Sequence, residues 1–203
     1  MIENIKPMDI EKRSFAIITE LLGDTKLEAE NELVIKRVIH TTADFDYVQN
    51  LVFSPHAVTK GLDALRAGCH IVTDTQMAKG GINKTILSRL GGEVHCFMSD
   101  PDVAAEAKER GVTRAIVSME KAAQLPGQCI FAIGNAPTAL IALHGLIEEG
   151  KLDPALIIGV PVGFVNVVES KELFLDSPVP HIIARGRKGG SNVAAAICNV
   201  LVY

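Results

Sequence analysis

The stretch QCIFAIGNAPTALIALHGLIEEG, residues 128–150, decides the fold of this sequence. Its opening, CIFAI, is a short apolar run of the kind that is typical of a buried strand. A tight turn, GNAPT, follows this run, and the apolar residues after the turn recur at helical spacing. The stretch therefore predicts a buried strand that turns sharply into a helix, which is the unit of layered α/β folds.

The same order of elements recurs twice towards the C terminus. Residues 155–177, ALIIGVPVGFVNVVESKELFLDS, turn through Pro-Val-Gly-Phe, and residues 181–203, HIIARGRKGGSNVAAAICNVLVY, turn through a glycine-rich basic loop. Three such units predict a single domain over residues 1–203, with a three-layer α/β/α fold and a central, largely parallel, possibly mixed sheet. Functional residues are expected at the carboxyl ends of the strands.

Two amphipathic helices are predicted upstream of these units. The first begins with Asp9 as its N-cap and ends at Gly23, and it places five apolar residues on one face: Ile10, Ile17, Ile18, Leu21 and Leu22. The second helix lies within residues 27–42 and carries Arg37 and His40 on the same side, one turn apart.

The segment between these helices and the first strand–turn–helix unit predicts a further helix and a loop. Residues 54–68 have the composition of a helix that begins with Ser54 as its N-cap. An alternating strand follows this helix, and it is expected to end in a polar loop over residues 74–83.

The composition excludes several classes of protein. The chain has 203 residues, of which 48% are hydrophobic, so it is long and apolar enough to bury a sizeable core. Its net charge is −4 and no basic run is present, which argues against a nucleic-acid or membrane-surface partner. The first residues lack the apolar core of a signal peptide, and glycine, proline and asparagine interrupt the longest apolar stretch. We therefore expect a cytoplasmic protein.

The cysteines predict buried free thiols rather than disulfides or a metal site. The four of them lie far apart, each in an apolar segment, and they form no C-x-x-C pair. His95 and Cys96 are adjacent on a strand and so point to opposite faces, and no other pair completes a set of zinc ligands. We expect no metal site.

A histidine at the end of the second helix is the best candidate for chemistry. His40 lies one turn after Arg37 and precedes a hydroxyl-rich continuation, and an imidazole titrates near neutral pH. The alternative is a histidine that only complements the helix dipole. Ser14 places a hydroxyl within the apolar face of the first helix, and its alternative is a hydrogen bond to its own helix backbone.

The basic loop ARGRKGGSNVAAA is a candidate for anion binding. It sets cationic side chains beside glycines at a helix N-terminus, but it matches neither the P-loop nor the G-x-G-x-x-G pattern. Four arginines across the chain would suit a ligand with several carboxylates: Arg37, Arg114, Arg185 and Arg187. The alternative is a sharp turn with solvated cations.

Six blocks of sequence, in order along the chain, resemble the precorrin-8X methylmutase family of cobalamin biosynthesis, also called precorrin isomerases. They are KRSFAII (12–18), RVIH (37–40), VFSP (52–55), GNAPTAL (134–140), PVGFVNVVESKE (161–172) and ARGRKGGS (184–191). The resemblance spans essentially the whole chain, and its two longest blocks are far more specific than ordinary turn chemistry.

The resemblance implies an intramolecular isomerisation without a cofactor, in which the C-11 methyl group of precorrin-8 or cobalt-precorrin-8 moves to C-12. It implies that His40 hydrogen-bonds to or protonates a ring nitrogen of the macrocycle. Ser14 and Arg37 would contact the substrate, and we extend the carboxylate-binding role to four further residues: Arg114, Arg185, Arg187 and Ser191. The family is similar in being homodimeric, with substrate near the subunit interface.

Two other classes of function remain open at this point. A nucleotide-dependent α/β enzyme would use residues 185–191 as its phosphate loop, and a non-catalytic tetrapyrrole carrier would use the arginines without needing His40. The choice between the cobalt-containing and the metal-free substrate also stays open, because any cobalt would travel inside the macrocycle.

Overall fold

The computed structural model describes residues 5–203. It contains six strands: β1 Leu51–Phe53, β2 His70–Thr73, β3 Val94–His95, β4 Cys129–Ile133, β5 Leu156–Gly159 and β6 His181–Ala184. They form one sheet in the order β1-β6-β5-β4-β2-β3, in which β1 pairs antiparallel with β6 and all other neighbours are parallel. The predicted α/β fold with a largely parallel sheet is confirmed, and β1 makes the sheet mixed.

Helices cover both faces of this sheet. They are α1 Ile10–Leu22, α2 Glu32–Thr42, α3 Tyr47–Asn50, α4 Ala57–Arg66, α5 Gln76–Gly81, α6 Lys84–Arg89, α7 Pro101–Arg110, α8 Arg114–Ala122, α9 Pro137–Glu148, α10 Val167–Glu172 and α11 Ser191–Val202. A 3₁₀ turn, Pro7–Asp9, precedes α1. In the part of the chain that the structure describes, no helix combines the length and the apolar character that crossing a membrane requires.

Strand β4 shows how the sheet is buried from both sides. Its alternate residues Ile130 and Ala132 join the core that contains α2, α4 and α11, whereas Phe131 and Ile133 join the core that contains α8 and α9. All five residues of the strand are buried. The continuous apolar run in the sequence therefore follows from a parallel strand that has helices on both faces.

The strand order reverses next to β2. The chain leaves β2 for β3 on one side and later returns to β4 on the other side, and both strands run parallel to β2. In open α/β sheets, ligands bind outside the carboxyl ends of the strands at such a reversal of strand order. The carboxyl ends of β2 and β4 are therefore where a site is expected.

Several local predictions need correction. Only Ile18 of α1 is fully buried, while Ile10, Ile17 and Leu21 are exposed because α1 packs against α2 along one narrow side. The expected cap Ser54 instead accepts a hydrogen bond from the backbone N–H of His181, and α4 begins three residues later.

Three short helices and one strand are absent from the sequence-based prediction: α3, α5, α6 and β1. Helix α5 occupies much of the predicted polar loop over residues 74–83, and the short strand β1 lies at the sheet edge. The burial of all four cysteines as free thiols is confirmed. Burial raises the pKa of Cys69 to about 11, so this thiol stays protonated near neutral pH.

Candidate active site

A buried carboxylate lies between the carboxyl ends of β2 and β4. Asp74, which directly follows β2, is 1% exposed. Its Oδ1 accepts a hydrogen bond from Gly134 N at 2.8 Å, and its Oδ2 accepts from Asn135 N at 2.8 Å and Ala136 N at 2.6 Å. Burial raises the pKa of Asp74, although the three N–H donors oppose that rise by stabilising the ionised form. These amides of the GNAPT turn therefore hold an internal carboxylate rather than a phosphate.

The start of α11 packs closely against the end of β4. A Cβ atom added to Gly134 would lie 2.7 Å from Ser191 Cα, so glycine is required for this approach. The Ser191 hydroxyl lies 2.8 Å from Thr75 Oγ1. Ser191 is thus placed at the same edge of the sheet as Asp74, one residue before the exposed Asn192.

The glycine-rich loop between β6 and α11, residues 185–190, presents two arginines to solvent. Arg185 and Arg187 are exposed, and neither forms a salt bridge within residues 5–203. Lys188 differs, because its Nζ lies 2.6 Å from Asp44 Oδ2 and 2.6 Å from Asp46 Oδ2. These two carboxylates raise the pKa of Lys188 and tie the loop to the segment that follows α2. The uncompensated positive charge of the loop therefore belongs to its arginines.

Arg114 lies at the same edge of the sheet. It is the first residue of α8, directly after Thr113, whose hydroxyl donates to Thr138 Oγ1 at 2.9 Å. Thr138 lies in the first turn of α9, which leaves the carboxyl end of β4. Arg114 is exposed and forms no salt bridge within the described chain. It adds a third exposed guanidinium group to this side of the molecule.

His40 and Arg37 both contact one aromatic ring of α1. The His40 imidazole stacks on Phe15, with ring centroids 5.4 Å apart and an interplanar angle of 26°. The Arg37 guanidinium lies 4.8 Å from the same centroid, and its Nη2 is 2.6 Å from Glu11 Oε1. The stacking on Phe15 orients the His40 ring. Because His40 is exposed, its ring nitrogens remain accessible to a ligand.

Ser14 takes the hydrogen bond that the alternative interpretation expected. Its Oγ donates to the backbone oxygen of Ile10 at 3.0 Å, within α1. The hydroxyl oxygen keeps the capacity to accept a hydrogen bond from a ligand. Ser14 lies one residue before Phe15, so it is near the ring that orients His40.

A groove of about 710 Å³ joins this helical pair to the edge of the sheet. It lies between α1, α2 and α11, and both polar and apolar residues line it. Its lining residues are Glu11, Leu33, Arg37, Thr41, Gly81, Asn192, Ala195, Ala196, Asn199, Val200 and Tyr203. Because α11 begins at Ser191, the groove leads from Arg37 towards the residues at the carboxyl ends of the strands.

The structure thus gathers the seven sequence-predicted residues into two groups. Ser14, Arg37 and His40 lie on the α1–α2 pair, and the second group lies at the sheet edge: Arg114, Arg185, Arg187 and Ser191. Among residues 5–203, no cluster of three or more His, Cys, Asp or Glu side chains is arranged to hold a metal ion.

Sequence reasoning missed three contributors to these groups. Phe15 lies inside the KRSFAII block, but its contact with His40 joins two different helices. Asp74 and Thr75 lie in the segment that was interpreted as a polar loop. The available signal for Asp74 was its position directly after a buried strand, which is where functional or site-shaping polar residues concentrate in parallel sheets.

Comparison with known proteins finds relatives along almost the whole chain. Residues 9–203 match the family model described as precorrin-8X methylmutase. A cobalt-precorrin-8 methylmutase of Priestia megaterium is 46% identical over 97% of this chain and 88% of its own length. A protein of the same name from Salmonella typhimurium is 46% identical over 98% of this chain and 95% of its own length.

Two further comparisons extend the similarity to a second name and to a solved structure. A precorrin-8X methylmutase of Pseudomonas aeruginosa is 41% identical over 95% of this chain and 93% of its own length. The structure of a precorrin-8x methyl mutase from Thermus thermophilus superposes with a TM-score of 0.87 at 39% identity, covering 96% of each chain.

We predict that Asp74→Asn lowers the free energy of unfolding by about 3 kcal/mol, because one buried backbone N–H then faces an amide N–H₂ instead of an acceptor. Urea denaturation monitored by circular dichroism measures this change. The matched control is Asp63→Asn on α4, where the carboxylate is 66% exposed and pairs with Arg66. The control is expected to stay within about 0.5 kcal/mol, and equal losses in both variants would contradict the structural role of Asp74.

Proposed function

We propose that this chain, which belongs to the precorrin-8X methylmutase family, moves the C-11 methyl group of cobalt-precorrin-8 to C-12 and so produces cobyrinate. Family membership makes the chain a methylmutase, an isomerase of cobalamin biosynthesis. The cobalt-containing substrate is preferred in this proposal, because the two 46% identical relatives carry that name, whereas the 41% identical relative is named for precorrin-8X.

The arrangement of His40 and Arg37 around Phe15 is the observation that carries the catalytic part of the proposal. An exposed imidazole that stacks on Phe15 lies one helical turn from Arg37, whose side chain lines the groove. An acid that must reach a ring nitrogen in a large planar ligand needs both this exposure and this orientation. His40 is the residue that we assign as the proton donor.

The methyl shift asks for polarisation and positioning rather than for a cofactor. A proton or hydrogen bond from His40 to a ring nitrogen withdraws electron density from the macrocycle, so the bond from the methyl group to C-11 breaks as the bond to C-12 forms. Substrate and product are isomers. A proton donated to the macrocycle is therefore returned before the product leaves, and His40 ends the cycle as it began.

The arginines supply recognition of the peripheral carboxylates. Arg114, Arg185 and Arg187 are exposed, and the structure gives them no carboxylate partner among residues 5–203, so their guanidinium groups can bind the ligand in bidentate fashion. Arg37 already pairs with Glu11, which leaves it a smaller net charge for this purpose. Ser191, which directly precedes the groove-lining Asn192, and Ser14 on α1 add hydroxyl groups.

The proposal includes a cytoplasmic homodimer in which each chain contributes a single domain. A row of exposed apolar side chains on α1 and the start of α2 supports a partner surface: Ile10 at 52%, Ile17 at 37%, Leu21 at 65% and Leu33 at 54% exposure. Such rows commonly mark protein–protein contacts. Ser14 lies on the same face of α1, so a second copy that covered the row would approach the substrate site.

We predict that His40→Ala lowers kcat by about 10²–10⁴-fold and changes KM by less than about fivefold, because the proton donor is lost while the binding groups remain. The visible spectrum of cobalt-precorrin-8 under anaerobic conditions follows the conversion. The control is His56→Asn, which changes an exposed histidine at a positive φ of 59° that asparagine tolerates.

The control is expected to keep its kcat, since His56 lies outside both groups of site residues. Full turnover by His40→Ala would contradict the catalytic assignment. If the wild-type protein bound the substrate but did not convert it, a tetrapyrrole carrier would be favoured instead.

We predict that the wild-type chain has the mass of a dimer in light scattering coupled to size exclusion, and that the double variant Leu21→Lys, Leu33→Lys has the mass of a monomer. Two buried cations without partners would oppose association at this surface. The control Ile141→Lys changes a residue of α9 that is 41% exposed, on the other face of the sheet. If all three proteins were dimers, the interface would lie outside this apolar row. If the wild-type protein were a monomer, the proposed homodimer would be wrong.

A further inference from the structure

Lys171 is a buried cation directly beneath the glycine-rich loop. This residue of α10 is 1% exposed, and its Nζ donates to the backbone oxygens of Gly186 at 2.7 Å and Lys188 at 2.9 Å. The two acceptors flank Arg187 in the chain. One ammonium group therefore holds both ends of the short segment that presents this arginine.

Lys171 has no carboxylate partner in the part of the chain that the structure describes. Among residues 5–203, its Nζ donates hydrogen bonds only to the two carbonyl groups of the loop and takes part in no salt bridge. A buried charge without a counterion is costly and is retained mainly where it serves a specific role. Burial lowers the pKa of Lys171 to about 8, which agrees with this environment.

The loop itself depends on close backbone contacts that Lys171 complements. Gly190 N donates to the backbone oxygen of Val160 at 2.9 Å, and a Cβ on Gly189 would collide with the same oxygen. Gly163 N donates to the backbone oxygen of Arg187 at 3.2 Å. These contacts hold the loop against residues 160–163, and the ammonium group of Lys171 holds it at Gly186 and Lys188.

We propose that Lys171 is a positioning residue for substrate binding: it holds residues 185–190 in the shape that exposes Arg185 and Arg187, and it adds a positive charge beneath them. The inference deepens the proposed function and rests on it, because it assigns this loop to the substrate carboxylates. A carboxylate bound at the arginines would supply the counterion that Lys171 lacks in the protein alone.

The proposal predicts a pH dependence of binding. Besides Lys171, the charged and titratable groups on α10, on α9, in the loop and in the segment that binds the loop are Glu169, Glu172, His144, Glu148, Arg185, Arg187, Lys188, Asp44 and Asp46. Carboxylates and guanidinium groups keep their charge between about pH 7 and 9. The ammonium group of Lys171 is protonated below about pH 8 and loses its charge above it.

The test is the KM of the wild-type protein and of Lys171→Met for cobalt-precorrin-8 from about pH 7 to 9. We expect the wild-type KM to rise by about fivefold over this range as the buried charge is lost. In Lys171→Met, KM should be raised by about fivefold already at the lower pH and should then stay flat, with kcat within about twofold of the wild-type value at each pH. Methionine has a similar length and no charge, so the core stays filled.

Two controls separate this role from a general effect on the fold. Lys151→Met changes an exposed lysine that pairs with Glu149, and its KM should match the wild type at every pH. Lys171→Arg keeps a positive charge at all these pH values, so its KM should not rise with pH. If Lys171→Met fails to fold, the wild-type profile decides the question alone, and a flat wild-type KM overturns the inference.

Arg187→Met distinguishes failure of this inference from failure of the proposed function. A raised KM in Arg187→Met together with an unchanged KM in Lys171→Met would overturn the role of Lys171 and keep the loop as a carboxylate site. An unchanged KM in Arg187→Met and in Arg185→Met would remove the loop from substrate binding, and the proposed recognition of carboxylates there would fall with it.

Discussion

The buried carboxylate of Asp74 is the constraint on which the rest of the site depends. It joins the end of β2 to the turn after β4, so two neighbouring strands and the start of α9 share one set of hydrogen bonds. The turn in its fixed shape brings Gly134 against the start of α11. Because α11 also packs on α2, the position of α2, which carries His40, is set by the same edge of the sheet.

The two groups of site residues differ in their charge. The α1–α2 pair carries the exposed imidazole of His40 beside Arg37, which Glu11 already compensates, whereas the edge of the sheet carries guanidinium groups without salt-bridge partners in the described chain. Lys188 forms salt bridges with Asp44 and Asp46 and so connects the two groups structurally. The exposed guanidinium groups suit a ligand with several carboxylates, and the amides of the GNAPT turn are not free to bind a phosphate because Asp74 occupies them.

Local patterns predict this fold well and the contacts of the site less well. The strand–turn–helix units were predictable because strands buried on both faces are continuous apolar runs. The pairing of Arg37 with His40 was predictable from helical spacing. The contacts of Asp74 with residues far along the chain, and of Phe15 with His40, depend on tertiary packing that no local pattern encodes. The exposure of Leu21 shows the same limit, since an apolar face does not reveal what covers it.

The central chemical proposal is an intramolecular methyl shift on a macrocycle that the protein holds and polarises. Anaerobic incubation of the purified protein with cobalt-precorrin-8, followed by the visible spectrum and by the mass of the product, tests it most directly. We expect the visible spectrum to change while the mass of the product equals that of the substrate. A spectrum that stays fixed while the macrocycle remains bound would contradict the methylmutase mechanism and leave a binding protein in its place.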